Sequence, residues 1–252
     1  MKPYKNYPCG KNGNGTYQHL INHVPAHKTR IIGTAGNCGL QWNIARAEQT
    51  IINDIDPVVI LKWELLKFKY QTNEYQTSNL DVLELLTKKE IKNVSECVSI
   101  TYLKFDFQDV FIYIDLPYLM DSRKRQQKLY QFEAETEHHK QVLEACKKFR
   151  FAKIMISHYP CEIYDTLLAG WHTHDYKSMT RHGLADERIY MNYEKPTILH
   201  DYSYIGDNFR QREALKRVKT NMVKKLERLE PVLRNSILTQ LISEFSAMLE
   251  QK

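Results

Sequence analysis

Residues 110–115, "VFIYID", are a short run of β-branched and aromatic side chains that ends on a carboxylate, and Leu-Pro-Tyr follows at once. A run of this kind is a strand buried on both faces, and such strands belong to parallel sheets covered by helices. Pro117 cannot continue a ladder, so Asp115 and Tyr118 fall at the strand's C-terminal edge. In open α/β sheets that edge is where ligands bind. A carboxylate and an aromatic ring placed there form the first candidate site.

The rest of the chain alternates in the same way. "RIIGT", "TIINDI", "KIMISHY" and "RIYMNY" read as strands, while 57–69, 79–91, 136–150 and 161–169 carry apolar residues at helical spacing. This alternation predicts an α/β fold, a Rossmann-like sheet with helices on both faces. "SITYLKFDF" resists the pattern. It ends two residues before "VFIYIDL", which leaves no room for a parallel crossover, so the pair is a hairpin or the first run is not a strand. After Gly206, Leu215, Val218, Met222, Leu226 and Leu229 recur at three- and four-residue steps. Pro231 is placed to start a second helix, and Leu233, Ile237, Leu241, Phe245 and Leu249 repeat the stripe. The expected organisation is a catalytic domain over 1–205 and a basic helical hairpin over 206–252. The hairpin's apolar faces either pack on the sheet or on each other, or they belong to a DNA-reading unit.

With 252 residues, 42% of them apolar, the chain can bury about three quarters of its unfolded surface. No apolar run approaches the ~18 residues of a membrane helix, and "MKPYKNYPCGK" lacks the apolar core of a signal peptide, so a cytoplasmic protein without membrane contact is expected. Five cysteines without a CxxC pair suggest neither a disulfide framework nor a zinc ribbon. His138, His139, His158, His172 and His174 have no second ligand at a metal-binding spacing and read as solvated or packing residues, so no metal is expected. The net charge of +6 is mild, but Arg123, Lys124, Arg125 and Lys128 crowd the segment after Tyr118, and eight more cations lie between Arg210 and Arg228. Either a polyanion partner or a solvated surface accounts for them. The oligomeric state stays open.

Gly33, Gly36 and Gly39 follow the first strand and precede a helical stretch, where backbone approaches a ligand and a helix N-terminus offers unpaired N–H groups. Asp54, eighteen residues past Gly36, ends the second strand where nucleotide-binding sheets hold a ribose. The spacing is not Gly-x-Gly-x-x-Gly, so a cofactor with an adenosine part but no pyrophosphate fits better than NAD.

"YPCGK" at 7–11, "GTAGNCG" at 33–39, "INDID" at 52–56, "YIDLPY" at 113–118, "ISHYPCEIY" at 156–164 and "ERIYMNY" at 187–193 resemble, in order, the motifs of Dam-like DNA adenine N6-methyltransferases. The resemblance covers most of residues 3–200. It implies S-adenosylmethionine as cofactor, a methyltransferase sheet, and DNA as partner, in an enzyme of the restriction-modification type. It also implies roles: Asp115, Leu116, Pro117 and Tyr118 in catalysis, with Tyr118 stacked on an extruded adenine and Asp115 accepting a hydrogen bond from its amine. Tyr7, Lys11, Gly36, Asn37, Asp54 and Asp106 would hold the cofactor, and Arg123, Lys124, Arg125 and Lys128 the DNA phosphates. Segment 64–98 stands where the family carries a target-recognition insertion. Cys9, Thr34, Cys38 and Leu116 depart from the family pattern. Two further readings stand beside it: a catalytically impaired homologue that binds DNA or cofactor, and a small-molecule methyltransferase or another nucleotide enzyme.

Overall fold

A computed structural model describes residues 10–13, 15–87, 90–92, 99–101, 109–123, 127–180 and 183–249. Tyr7, Asp106, Lys124 and Arg125 lie outside the described residues. The strands are β1 (Thr29–Ile32), β2 (Gln49–Asn53), β3 (Gln76–Ser78), β4 (Glu90–Lys92), β5 (Ser99–Thr101), β6 (Val110–Ile114), β7 (Lys153–His158), β8 (His172–Thr180) and β9 (Gly183–Met191). The helices are α1 (Thr16–Ile21), α2 (Gly39–Asn43), α3 (Pro57–Tyr70), α4 (Val82–Thr87), α5 (Thr136–Lys147), α6 (Glu162–Leu167), α7 (Phe209–Glu227) and α8 (Pro231–Leu249).

Seven strands form one sheet in the order β3-β2-β1-β6-β7-β9-β8. The first five run parallel, β9 returns antiparallel to β7, and β8 pairs antiparallel with β9. Phe111 and Tyr113 pack on one side with Leu20 of α1 and Trp63 of α3, while Val110, Ile112 and Ile114 pack on the other with Leu85 of α4 and Leu143 and Cys146 of α5. This alternation on a strand without exposed residues is what a sheet layered between helices requires, and it is the Rossmann-like arrangement expected. Each large side chain fully buried this way contributes about 1.5–3 kcal/mol. Asp56 starts α3 by accepting the Val58 N–H, with Pro57 in the first turn.

Three expectations need correction. β6 lies between β1 and β7, both parallel to it, so it forms no hairpin with "SITYLKFDF"; β5 pairs with β4 in a separate ribbon. The helix expected over 79–91 stops at Thr87, and Glu90–Lys92 is strand. Residues 64–70 of the supposed recognition segment complete α3, and 76–78 are a strand of the main sheet.

Four buried histidines brace this framework: His23, His27, His139 and His158. Each hydrogen-bonds a backbone carbonyl through one ring nitrogen, those of His19, Pro25, Pro117 and Tyr159 respectively. The second nitrogen of three of them accepts, from Arg30 Nε, the Tyr164 hydroxyl and the Leu119 N–H. Burial therefore pushes them down from 6.5, to about 4, 2, 3 and 4. Histidines held neutral stabilise the fold fully above 6.5, and that contribution is lost as pH falls toward the folded values. Asp54 and Asp115, pushed up by burial to about 6 and about 7, act in the opposite sense over the same range, but their shifts sum to less. The melting temperature should therefore fall steeply below pH 6, with net proton uptake on unfolding. Calorimetry giving a flat melting temperature from about pH 7 to 4.5 would contradict this account.

Candidate active site

A cavity of about 400 Å³ opens beyond the C-terminal ends of β1, β2 and β6, where the strand order reverses. The loop after β1 forms one wall, with Gly33, Thr34, Ala35, Gly36 and Asn37; Asp54 and Asp56 follow β2; Asp115, Leu116 and Pro117 follow β6; and residues 130–138 close the far side. Two glycines are forced by space and backbone. Gly36 has φ 45°, and a Cβ on Gly39 would lie 2.4 Å from the Lys11 carbonyl oxygen. That close approach lets the Gly39 N–H donate to Gly10 and seats residues 10–12 against the glycine loop.

Several of the loop's amides are occupied. Ala35 donates to the Asn53 carbonyl, Cys38 to Ala35, Gly39 to Gly10, and Gly36 to the Asp54 carboxylate at 2.7 Å. These amides, expected to be unpaired, are thus not open to a phosphate. Asp54 also accepts the Asp56 N–H at 2.9 Å, and Trp63 Nε1 donates to the Gly36 carbonyl, so Asp54 both shapes the loop and faces the cavity.

Among the described residues, seven carboxylates line the cavity: Asp54, Asp56, Asp81, Asp115, Glu133, Glu135 and Glu137. Glu133 is paired with Arg123 and Asp81 faces His138. No lysine or arginine is among the described lining residues. The site favours a cation and penalises a polyphosphate.

Asp115 itself belongs to a buried cluster. Lys11 lies between two carboxylates, with its ammonium 2.8 Å from Glu187 and 3.7 Å from Asp115. Glu187, on β9, further accepts the Tyr118 hydroxyl at 2.6 Å and the Ser178 hydroxyl at 3.1 Å. One ammonium cannot neutralise two buried carboxylates. Burial and the Glu187 charge outweigh Lys11, and the Asp115 carboxyl is pushed up to about 7. Burial pulls Lys11 down, but the two carboxylates together outweigh it and hold the ammonium above its ordinary value. Its backbone adopts φ 55°, the left-handed region uncommon for a side-chain-bearing residue.

The backbone of the Leu-Pro-Tyr turn is pinned at three points. His139 Nε2 bonds the Pro117 carbonyl, Arg123 Nε donates to the Tyr118 carbonyl at 2.7 Å, and the Leu119 N–H donates to His158 Nε2. Arg123 is buried and also pairs with Glu133, so it is a brace for this turn and not the exposed phosphate ligand expected of it. Of that cluster's described residues, Lys128 alone is exposed. Tyr118 differs from expectation too. Its ring faces Lys11, His158 and Tyr159 and does not line the cavity.

No family model and no curated protein matches the chain. Solved structures do. An Escherichia coli protein described as a methyltransferase, yhhF, aligns over 76% of this chain and 90% of its own at 12% identity and TM-score 0.45. A Streptococcus mutans protein described likewise, in complex with SAH, covers 69% and 93% at 8% and 0.42, and a dimethyladenosine transferase from Plasmodium falciparum covers 70% and 60% at 10% and 0.42. At these TM-scores the likeness carries no inference about the chemistry of this chain.

The site brings together Lys11, Gly36, Asn37, Asp54, Asp115, Leu116, Pro117 and Tyr118 from four separated segments. Glu187, His139 and His158 act there too: Glu187 lies within "ERIYMNY" and was given no role of its own, while the two histidines, read as solvated or packing residues, are buried braces of the turn. Thr34, a departure from the family motif, has a definite use: its hydroxyl accepts the Asp115 N–H at 2.7 Å. Thr34→Val should leave that N–H unpaired and destabilise the fold by about 1–3 kcal/mol, read by denaturant unfolding. A change below about 0.5 kcal/mol would remove the bond from the account.

Proposed function

We propose that the protein transfers a methyl group from S-adenosylmethionine to the exocyclic amine of adenine in DNA. The observation that carries this reading is the carboxylate-lined cavity, free of lysine and arginine among its described residues, that meets Asp115 at the end of β6. A cofactor bearing a sulfonium and an ammonium suits that lining, whereas a pyrophosphate would meet carboxylates and occupied amides. The volume is that of a small-molecule site. The choice of adenine in DNA rests on the ordered motif resemblance.

When bound, S-adenosylmethionine would supply a methyl group activated by its sulfonium, the cofactor leaving as the neutral thioether when the sulfur–methyl bond breaks. Asp54 would accept ribose hydroxyls, and Gly36 and Asn37 would approach through backbone. Asp115 accepts a hydrogen bond from the adenine amine, which orients the nitrogen lone pair away from the ring, and takes the proton released as that nitrogen gains a methyl group. The Leu116 carbonyl accepts the second amine hydrogen. Flipping the base costs about a few kcal/mol. Tyr118, anchored on Glu187 and Lys11, stiffens the turn that carries these acceptors.

Titration calorimetry tests the cofactor assignment. S-adenosylmethionine should bind while NAD and ATP do not, and Asp54→Ala should weaken it by roughly ten- to a hundredfold. Binding of NAD in its place would overturn the reading. The withdrawn Tyr118 ring favours one other reading, a homologue that binds cofactor and DNA without turnover; it shares the calorimetric result and differs in product.

A further inference from the structure

Helix α8 is nineteen residues long, yet none of its described side chains is buried. Leu233, Leu238, Leu241, Ile242 and Phe245 are 39–61% exposed along one broad face. An apolar stripe of this length left in water is a contact surface without its partner.

The charge pattern says what the partner is. Arg234 and Glu244 are the two charged residues of Pro231–Leu249, ten positions apart and symmetric about Thr239. By helical spacing Arg234 falls within the apolar face, among Ile237, Leu238 and Leu241, and Glu244 borders the face beside Leu241. An arginine at the centre of an apolar contact requires a carboxylate from across it. We propose that α8 is the dimer contact of this protein: two copies pair their α8 helices antiparallel, with a two-fold axis beside Thr239. In that register Arg234 meets Glu244 of the second copy, twice, while Leu233 faces Phe245 and Ile237 faces Leu241. A parallel pair would set arginine on arginine and glutamate on glutamate. Isologous contacts require a surface complementary to itself, which this one is.

Other occupants fit less well. No described helix is long and apolar enough to cross a membrane, and α8 carries a single cation with which to meet a polyanion. The stripe would remove about 1,000 Å² in total from water, near the lower bound for a specific contact, so dimerisation in the micromolar range follows. The contact is independent of the methyltransferase reading.

Sedimentation equilibrium of the full chain, from about 1 to 100 μM, tests the proposal. The wild type should approach twice 29.9 kDa. Arg234→Glu and Glu244→Arg should each weaken self-association by roughly tenfold or more, since each sets like charges together. An equimolar mixture of the two variants should associate again, because every mixed pair then opposes glutamate to arginine. Circular dichroism will establish that each variant keeps its helix, and Ser236→Ala, exposed on the opposite side of the helix, serves as the unaltered control. A chain that stays at 29.9 kDa throughout, a dimer that neither single variant weakens, or a mixture that fails to associate would each overturn the proposal.

Discussion

Asp115→Asn should lower methyl transfer by about 10²–10³-fold and leave S-adenosylmethionine affinity within a few-fold. The substitution is nearly isosteric, and the backbone of residue 115 stays held by Thr34 Oγ1. What is lost is the negative charge facing the nitrogen as it becomes positive, together with the acceptor for its proton. The Asp115 carboxyl sits at about 7, pushed up by burial, so it is well matched to accept a proton at neutral pH. It must be ionised to do so. Wild-type kcat/KM should therefore fall as pH drops through 7, and the asparagine variant should lack that limb. Equal losses of cofactor affinity and rate would reassign Asp115 as a cofactor ligand.

Lys11→Met should destabilise the protein by about 3–5 kcal/mol, because it leaves Asp115 and Glu187 buried with no ammonium between them. For a chain of this size that is a fall in melting temperature on the order of 10 °C. The partner experiment separates charge from packing. Glu187→Gln in the Lys11→Met background removes one of the two carboxylates and should recover a large part of the loss, giving a coupling energy of about 1–3 kcal/mol. Additive effects in the double variant would mean that Lys11 acts through its methylenes and not its charge. In activity assays Lys11→Met should also raise the Asp115 carboxyl further and shift the acidic limb of the pH profile upward.

Some of this was legible residue by residue. Asp54 and Asp115 each end a short apolar run, and a run of that kind has one interpretation in an α/β chain, so their arrival at the same sheet edge follows from connectivity. β8 was not legible, because His172–Thr180 is an edge strand whose alternate residues face solvent, and "HTHDYKSMT" therefore lacks the apolar density of an inner strand. Arg123 was misread for a related reason. A cation in a loop looks like surface, and only the carbonyls of Tyr118 and Gln127 and the Glu133 carboxylate, gathered by the fold, make burial tolerable. The Lys11–Glu187 contact joins residues 176 apart, beyond the reach of any local periodicity. The apolar stripe of α8 was visible as a stripe, but that none of its described side chains is buried is a fact of the structure alone.

The central claim is methyl transfer to adenine in DNA, and one assay meets it directly. The protein is incubated with methyl-labelled S-adenosylmethionine and unmethylated duplex DNA, and the DNA is digested to nucleosides that are separated and counted. The account predicts label in N6-methyladenine with wild-type protein and its loss with Asp115→Asn. Label in another base, or unlabelled DNA from a protein that binds the cofactor by calorimetry, would contradict it.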